Sequence, residues 1–266
     1  MTPVRIVSLY SGSTGNSFLI YTPTGSILID AGKSCKRLCE AIAACQCAPE
    51  EIRAIFITHE HTDHIGALPV FLKRHPVPVH IQEKSAYALR TSPAAVPCLI
   101  PHKPLFCESV CGLTVESFPT PHDSAASVGF RITANGESGK SICIGYATDI
   151  GHVSDAVREG LTGCDVIVLE SNHDPVMLST GPYPPPLKQR VASRYGPLSN
   201  PDSASLAAEL CSKGTRRLML AHLSQENNTP TTALDAHRSA LQSFSDVCVY
   251  VADPERATEL PMEDLL

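Results

Sequence analysis

Short apolar runs bounded by turn residues recur along most of the chain, and this pattern predicts β-strands. Residues 54–58 (AIFIT) and 165–170 (DVIVLE) are almost continuously apolar, as in strands that are buried on both faces. The same pattern predicts further strands at residues 4–9, 17–21, 26–30, 78–81, 113–118, 128–133, 140–147, 217–221 and 246–251.

Helical signals fill the intervals between these strands. Ser34 is a predicted N-cap for a helix that ends near residue 45, and another helix is expected to begin near Ile65. The remaining predicted helices cover residues 154–160, 187–195 and 202–213, and a last one begins near Thr231. A strand-rich half followed by a half of strands and helices predicts one layered α/β domain over residues 1–266, with two sheets.

The charge balance limits the classes of partner. The chain has 27 acidic and 21 basic residues, which gives a formal net charge of −6. Domains that bind nucleic acid through bulk charge are usually basic, so this balance argues against tight non-specific binding. Cations held at an active site would still supply positive charge locally. No apolar stretch approaches the roughly 18 residues that a membrane-spanning helix needs.

Eleven cysteines occur in a chain whose first ten residues lack the basic and apolar segments of a signal peptide. We therefore expect reduced thiols and a cytoplasmic location. Cys35, Cys39, Cys45 and Cys47 lie close together in the sequence. Their C-x3-C-x5-C-x-C spacing differs from the paired spacing of structural zinc sites, so buried thiols on a helix of small residues are favoured over a zinc site.

The segment 59–64 (HEHTDH) concentrates metal-binding side chains directly after a predicted buried strand. A continuous helix would put His59 and His64 on different faces, because ligands on one face need i,i+3 or i,i+4 spacing. A loop lets His59 and His61 point one way and Asp63 and His64 another, which suits two metal ions better than one. Imidazole and carboxylate together favour zinc, manganese or iron. A chance cluster of loop residues is the alternative, but buried imidazoles and carboxylates need costly partners.

Three more candidate ligands, His122, Asp149 and His222, each lie just past the end of a predicted strand. Taken singly, His122 is equally a turn residue, Asp149 a helix N-cap and His222 a core histidine. Their shared position favours a common site, because layered folds carry their catalytic loops at strand ends.

The sequence resembles a known family at these positions. HEHTDH followed by IGAL is similar to the HxHxDH motif of the metallo-β-lactamase fold, and the three later ligands resemble its later motifs. Longer stretches are similar to the YycJ/WalJ-like hydrolases of bacteria: SLYSGSTGNSFLI (residues 8–20), ATDIGHVSD (147–155), LESNHDPVML (169–178) and LAHLSQENNTP (220–230).

The resemblance implies a four-layer αββα sandwich with the metals at one edge. It also implies a binuclear phosphodiesterase, an exonuclease acting on DNA, which is more distantly similar to RNase Z and RNase J. The implied cofactors are two divalent ions, zinc or manganese, with these ligands: His59, His61 and His122 on one ion, Asp63, His64 and His222 on the other, and Asp149 between them.

The chemistry of such a centre agrees with that activity. Two ions about 3.5–4 Å apart lower the pKa of a bridging water and stabilise the charge that develops at phosphorus. Asp149 would orient the resulting hydroxide, and Asp63 would be a ligand that also takes part in proton transfer. Two other functions stay open: hydrolysis of a small ester or thioester, whose carbonyl the same ions would polarise, and binding without efficient catalysis.

One position departs from the family pattern. Where the family has Gly-His-x-Ser-Asn, this chain has GPLSN, with Pro197 in place of the histidine. In RNase Z relatives that histidine pairs with a glutamate and assists the leaving group. Glu170 matches the glutamate, but Pro197 cannot transfer a proton. His173 and His152 are candidate replacements, and support of the metal ligands is the alternative for both.

The turn SGSTGN (residues 11–16) is rich in glycine and serine. Its backbone N–H groups could cradle a phosphate, with Ser13 or Asn16 lining the cleft. A tight hairpin turn is the alternative. The chain has no tryptophan, so base stacking would depend on tyrosine and phenylalanine. Nucleic acid, with DNA favoured, is the expected substrate.

Overall fold

The computed structural model describes residues 4–135 and 141–262, in which the chain forms fourteen strands and eight α-helices. The strands are β1 (Arg5–Tyr10), β2 (Ser17–Thr22), β3 (Gly25–Ile29), β4 (Ile52–Phe56), β5 (Val79–Gln82), β6 (Leu99–His102), β7 (Cys107–Val110), β8 (Leu113–Pro119), β9 (Val128–Asn135), β10 (Ser141–Ala147), β11 (Val166–Glu170), β12 (Arg217–Ala221), β13 (Cys248–Val251) and β14 (Thr258–Leu260). The helices are α1 (Cys35–Ala44), α2 (Thr62–Ile65), α3 (Leu68–Arg74), α4 (Asp155–Leu161), α5 (Pro175–Thr180), α6 (Pro185–Val191), α7 (Asn200–Cys211) and α8 (Pro230–Ala240).

The strands form two mixed sheets of seven. The order in the first sheet is β14-β1-β2-β3-β4-β5-β6, and the order in the second is β13-β12-β11-β10-β9-β8-β7. Strands β3 to β6 run parallel in the first sheet, and β10 to β13 run parallel in the second. In open α/β sheets the segments that follow the carboxyl ends of such strands form the binding crevice.

Alternating side chains on the strands fill three apolar layers. Val7 of β1 belongs to the cluster that also contains Leu38 of α1 and Phe71 of α3. Its neighbour Ile6 faces the other way, into the layer between the two sheets. A third cluster joins the outer face of the second sheet to α4 and α7, for example through Leu210. The predicted four-layer αββα architecture is therefore confirmed.

Several predicted boundaries differ from the structure. The helix expected near Ile65 begins at Thr62 as α2, and α3 follows it after a short break. The helix predicted at residues 187–195 is α6, which begins earlier, at Pro185, and ends at Val191. Pro185 can start the helix because a proline at the first helical position loses no hydrogen bond. The strand predicted at 140–147 is β10, and Lys140 lies outside the described residues.

The four clustered cysteines lie on α1 or just after it. The sulfur atoms of Cys35 and Cys39 are 3.9 Å apart, and Cys45 and Cys47 are buried in the apolar layer beneath the helix. No three of these thiols converge on one point within the described residues. Cys35, Cys45 and Cys47 are buried, as the favoured interpretation expects.

No helix in the described ranges is long and apolar enough to cross a bilayer.

Candidate metal centre

The HEHTDH segment changes from extended backbone to helix in its middle. His61 is the N-cap of α2 and has an extended backbone, whereas Asp63 and His64 lie in the helical turn. His59 and His61 therefore lie before the turn and the other two candidate ligands lie within it, which divides them into two pairs. Glu60 is not a member of either pair, because its carboxylate accepts hydrogen bonds from Ser85 Oγ and the Ala125 backbone N–H, both at 2.6 Å.

The first group of candidate ligands is His59, His61 and His122. His59 Nε2 lies 2.9 Å from His61 Nδ1, and His122 Nε2 lies 3.4 Å from the same atom. One nitrogen from each ring therefore faces a common point.

The second group is Asp63, His64 and His222. Asp63 Oδ2 lies 3.4 Å from His64 Nε2 and 3.8 Å from His222 Nε2. Asp149 lies between the groups: Oδ1 is 3.5 Å from His122 Nε2, and Oδ2 is 3.2 Å from His64 Nε2. The structure thus brings all seven sequence-predicted ligands into one cluster, in the two sets expected. That they bind metal ions stays a prediction.

Two of these residues have an unusual backbone. Asp149 has φ of 54° and His222 has φ of 57°, in the left-handed region that residues other than glycine seldom adopt. Each is near the carboxyl end of a central strand, β10 or β12. A left-handed residue costs about 1–2 kcal/mol, and such strain collects at functional sites.

Asp30 is a residue that the sequence analysis missed. Its fully buried carboxylate lies at the end of β3 and accepts a hydrogen bond from His64 Nδ1 at 2.8 Å and another from the Thr58 backbone N–H at 2.8 Å. With the proton on Nδ1, the lone pair of His64 is on Nε2, the atom that faces the cluster. An aspartate at the end of an apolar strand was the only signal in the sequence for this contact. It was ambiguous, because aspartate is also common where a turn begins.

Glu170 has the corresponding contact with His222. Its Oε1 accepts from His222 Nδ1 at 2.8 Å, while Oε2 accepts from the backbone N–H groups of Ile150 at 2.7 Å and Leu198 at 3.0 Å. The carboxylate is fully buried. It therefore holds the His222 ring and two loops in place, and a catalytic role for Glu170 stays a prediction.

The glycine- and serine-rich loop reaches the second group through Asn16. The Asn16 side-chain amide donates to Asp63 Oδ2 and lies near His64 Nε2, both at 3.1 Å. Its oxygen accepts from the Gly12 backbone N–H at 2.9 Å. Ser11 Oγ accepts from the His222 backbone N–H at 2.8 Å. The loop therefore joins β1 to β2 as a hairpin and contacts three candidate ligands. Ser13 lines the cavity beside them, and phosphate binding by the loop stays a prediction.

Carboxylates surround two of the buried imidazoles in the cluster. Burial alone would lower the pKa of His64, but the Asp30 and Asp149 carboxylates outweigh it and raise that pKa well above its usual value. Burial alone would also lower the pKa of His222, but the carboxylates of Asp149, Asp63 and Glu170 raise it well above its usual value. The carboxylates therefore favour positive charge at this point, which metal ions would supply.

The donor set fits divalent ions. Asp149 Oδ2 and His222 Nε2 are buried and form no hydrogen bond with the described residues, so each leaves a lone pair facing the cluster. A buried polar atom without a partner is costly unless another group satisfies it. Imidazole with carboxylate is the ligand combination of zinc, manganese and iron.

Comparison with known proteins agrees with this geometry. A sequence model of the metallo-beta-lactamase superfamily matches residues 10–127. Exodeoxyribonuclease WalJ of Streptococcus pneumoniae is 32% identical over 264 residues, which cover 95% of each chain. The chain belongs to the WalJ/YycJ family of this superfamily. Exodeoxyribonuclease YycJ of Bacillus anthracis is 33% identical over 224 residues, 83% of this chain and 82% of that protein.

Solved structures share the fold of this WalJ/YycJ-family chain at lower identity. YhfI from Bacillus subtilis has a TM-score of 0.73 with 16% identity, over 98% of this chain and 100% of that one. The short form of human tRNase Z has a TM-score of 0.64 with 19% identity, over 97% and 99% of the two chains. At these identities the likeness shows the metallo-β-lactamase fold alone.

Pro197, where the resemblance led us to expect a histidine, lies beside the cluster. Pro197 lines a cavity of about 190 Å³ that His122 and His222 also line. His173 and His152 instead line a neighbouring cavity of about 890 Å³, which Pro197 also borders. The structure therefore does not bring the two candidate replacement histidines to the ligand cluster.

Proposed function

We propose that this chain is a two-metal exonuclease that acts on DNA. The observation that carries the proposal is a complete set of seven clustered imidazole and carboxylate donors, four of which (His61, His122, Asp149 and His222) line a cavity. It is supported by the name of the relatives that match over most of the chain, exodeoxyribonuclease. Metallo-β-lactamase-fold proteins use divalent metals, and we assign zinc or manganese to this donor set.

We assign the ligands as the two groups suggest, with Asp149 shared by both ions. When bound, two ions would lower the pKa of a water between them and offset the charge that develops on a phosphodiester. Asp149 would fix the direction of attack, because its two oxygens face different groups. The Asp63 side chain is 24% exposed, so among the carboxylates of the cluster it is suited to exchange a proton with the cleft.

Tyrosines beside the cluster fit a nucleic-acid substrate. Tyr183 and Tyr195 line the same cavity as the candidate ligands, and Tyr195 is 62% exposed. Their rings provide the stacking surfaces that a chain without tryptophan needs. Arg190 lines this cavity too and supplies positive charge near Asp123, with Nε 2.9 Å from Asp123 Oδ2. In this proposal the two tyrosine rings stack on bases of the strand being degraded, and Arg190 contacts its phosphate backbone.

The proposal is tested with end-labelled single-stranded DNA, the matching RNA and a thioester, each offered to metal-loaded and chelator-treated protein. We expect stepwise shortening of the DNA that stops on chelation and returns with zinc or manganese. Asp149→Ala should lose metal and activity together, whereas Asp155→Ala, at an exposed position in the first turn of α4, should keep both.

A second arm tests substrate recognition. Tyr195→Ala should raise KM for DNA by roughly 5- to 150-fold, since a stacked base contributes about 1–3 kcal/mol, and Tyr195→Phe should not. Full activity of metal-free protein would overturn the metal-dependent mechanism. Hydrolysis of the thioester without any shortening of the oligonucleotides would favour the small-ester alternative.

A further inference from the structure

A second group of metal-binding side chains lies apart from the candidate metal centre. His80 is on β5, His102 is on β6 and Glu108 is on β7. Strand β6 is the edge of the first sheet, and β7 is the edge of the second. The group therefore joins the two sheets at one side of the sandwich.

The strand register places the two histidines on one face. His80 pairs with Ile100 and Gln82 pairs with His102 in the parallel β5–β6 ladder, so the histidines are two positions apart along it. His80 stacks on Phe56, with ring centroids 4.5 Å apart, and so faces the layer between the sheets. His102 stacks on Phe106 at 4.0 Å. These aromatic contacts hold both imidazoles in place.

The donor atoms of this group converge. His80 Nδ1 lies 2.9 Å from His102 Nε2, and Glu108 Oε1 lies 4.0 Å from the same His102 atom. All three donor atoms lie within 4.8 Å of one another. The spacing of the two nitrogens equals that of His59 Nε2 and His61 Nδ1 in the candidate metal centre, which is also 2.9 Å.

Burial makes the imidazoles suitable ligands. His80 is 6% exposed, and burial, followed by the neighbouring His102, lowers its pKa to about 4. A neutral imidazole keeps the lone pair that a metal requires. The His102 side chain is 11% exposed and that of Glu108 is 39% exposed, so one side of the group is open to solvent. An ion could enter there, and Glu108 can rotate to meet it.

We propose that His80, His102 and Glu108 form an additional metal site, which takes Zn²⁺ and joins the edges of the two sheets. Two imidazoles and one carboxylate form a common zinc ligand set, with bond lengths of about 2.0–2.2 Å and water in the fourth position. The site lies on different strands from the candidate metal centre and does not depend on the proposed nuclease activity. An ion bound there would tie β6 to β7 across the edge of the sandwich.

The competing explanation is a simple hydrogen bond between two neutral histidines. Variants that keep this hydrogen bond but remove a metal ligand distinguish that explanation from a metal site. His102→Gln keeps a side chain that can hydrogen-bond to His80 but removes an imidazole ligand. Glu108→Gln removes the charged ligand at a more exposed position. His75→Gln is the matched control, because His75 also faces a glutamate, with Nδ1 3.3 Å from Glu50 Oε1, but has no second imidazole in its group.

The full chain is stripped with chelator and titrated with Zn²⁺, and bound zinc is counted by elemental analysis. We expect about three equivalents for the unaltered chain and His75→Gln, and about two for His102→Gln and Glu108→Gln. DNA cleavage should be unchanged in all four proteins. If His102→Gln fails to fold, Glu108→Gln and anomalous scattering at the zinc edge from crystals of the unaltered chain decide the question. Equal zinc content in all four folded proteins, or anomalous density confined to the candidate metal centre, would overturn the proposal.

Discussion

Two carboxylates outside the predicted ligand set determine how two imidazoles face the candidate metal centre. Asp30 holds Nδ1 of His64, and Glu170 holds Nδ1 of His222, each at 2.8 Å. In both rings Nε2 is left facing the cluster. Supporting contacts of this kind fix the tautomer and orientation of a metal ligand, and their loss typically weakens metal binding by about 10- to 100-fold.

This arrangement predicts the behaviour of Glu170→Gln. The amide keeps the size of the side chain but accepts and donates differently, so His222 should be held less well. We expect an apparent metal affinity about 10- to 100-fold lower, with DNA cleavage restored at saturating metal. Metal titration of the cleavage rate measures this. A rate that stays low at saturating metal, with a changed pH profile, would instead assign Glu170 to proton transfer.

Pro197 gives a second prediction at the same scale. Its ring borders the cavity beside His122 and His222 and offers no proton to a leaving oxygen. The protein should therefore cleave an aryl phosphodiester, which needs little protonation, far faster than DNA. Pro197→His should raise the DNA rate, within the roughly 10²–10⁴-fold of a general acid, and hardly change the aryl ester. Both rates and the thermal unfolding of the variant are measured.

One outcome would contradict this explanation of Pro197. If Pro197→His folds normally and the DNA rate does not change, while His173→Ala removes activity, the acid is His173. We do not expect that result, because His173 lines the neighbouring cavity and its backbone forms a β-bridge with Ser199.

At the scale of elements, close backbone contacts fix where α2 begins. The backbone N–H of Asn16 donates to Asp63 O, and that of Gly32 donates to Asn16 O, both at 2.8 Å. A Cβ atom on Gly32 would lie 2.0 Å from Asp63 O. The loop after β3 can therefore approach the metal-binding turn only because residue 32 has no side chain.

Gly32→Ala should displace this turn and destabilise the protein. We expect a loss of at least about 1–3 kcal/mol in the free energy of unfolding, the range for overpacking, together with weaker metal binding. Urea denaturation measures the first and zinc titration the second. Gly214→Ala is the control: φ there is 121°, which strains alanine, but nothing lies within 4 Å of the added atom. Equal losses in both variants, with normal metal binding, would contradict the steric explanation.

The sequence predicted the elements that carry their own local signal. The predicted strand at residues 217–221 has the same bounds as β12, and Ser34 does cap α1, with its side chain accepting from the Arg37 backbone N–H. The apolar strands and the helix capped by Ser34 were therefore recognisable, whereas α5, which Asp174 caps, was missed. Strands β6, β7 and β14 were missed, because they are short edge strands whose partners, not their composition, define them.

In the candidate site too, features with a local sequence signal were predictable and contacts between distant residues were not. The clustering of the seven candidate ligands was predictable, because histidine and aspartate at strand ends form a local pattern and resemble a family motif. The contacts of Asp30 with His64 and of Glu170 with His222 were not, since they join residues 34 and 52 positions apart. The same limit applies to His80 and His102, which only the pairing of β5 with β6 brings together.

At the scale of the whole molecule, the last strand described closes the sheet that the first strand begins. Strand β14 pairs antiparallel with β1, and Leu260 and Met262 are buried in the layer between the sheets. Arg5 and Glu259 form an ion pair beside them, with Nε 2.7 Å from Oε1. The edge strand thus combines apolar burial with an exposed charge contact.

Removing residues 257–266 should destabilise the protein far more than removing that ion pair. Burial of two large apolar side chains contributes about 3–6 kcal/mol, a large share of the roughly 5–15 kcal/mol of a typical domain, and the bare edge of β1 invites aggregation. Glu259→Gln should cost about 0–1 kcal/mol. Urea denaturation and light scattering compare the two. A truncated chain as stable and monomeric as the full chain would show that β14 does not stabilise the sheet.

The pairing of β1 with β14 also has a consequence for how the protein is made. Arg5 and Glu259 are 254 positions apart, and a ribosome adding about 5–20 residues per second needs roughly ten to fifty seconds to cover that interval. Every strand of the second sheet precedes β14 in the chain, so β1 lacks one of its neighbours until after that sheet has been synthesised. The nascent chain therefore carries an unpaired strand edge throughout that interval, and the first sheet receives its last strand after the second.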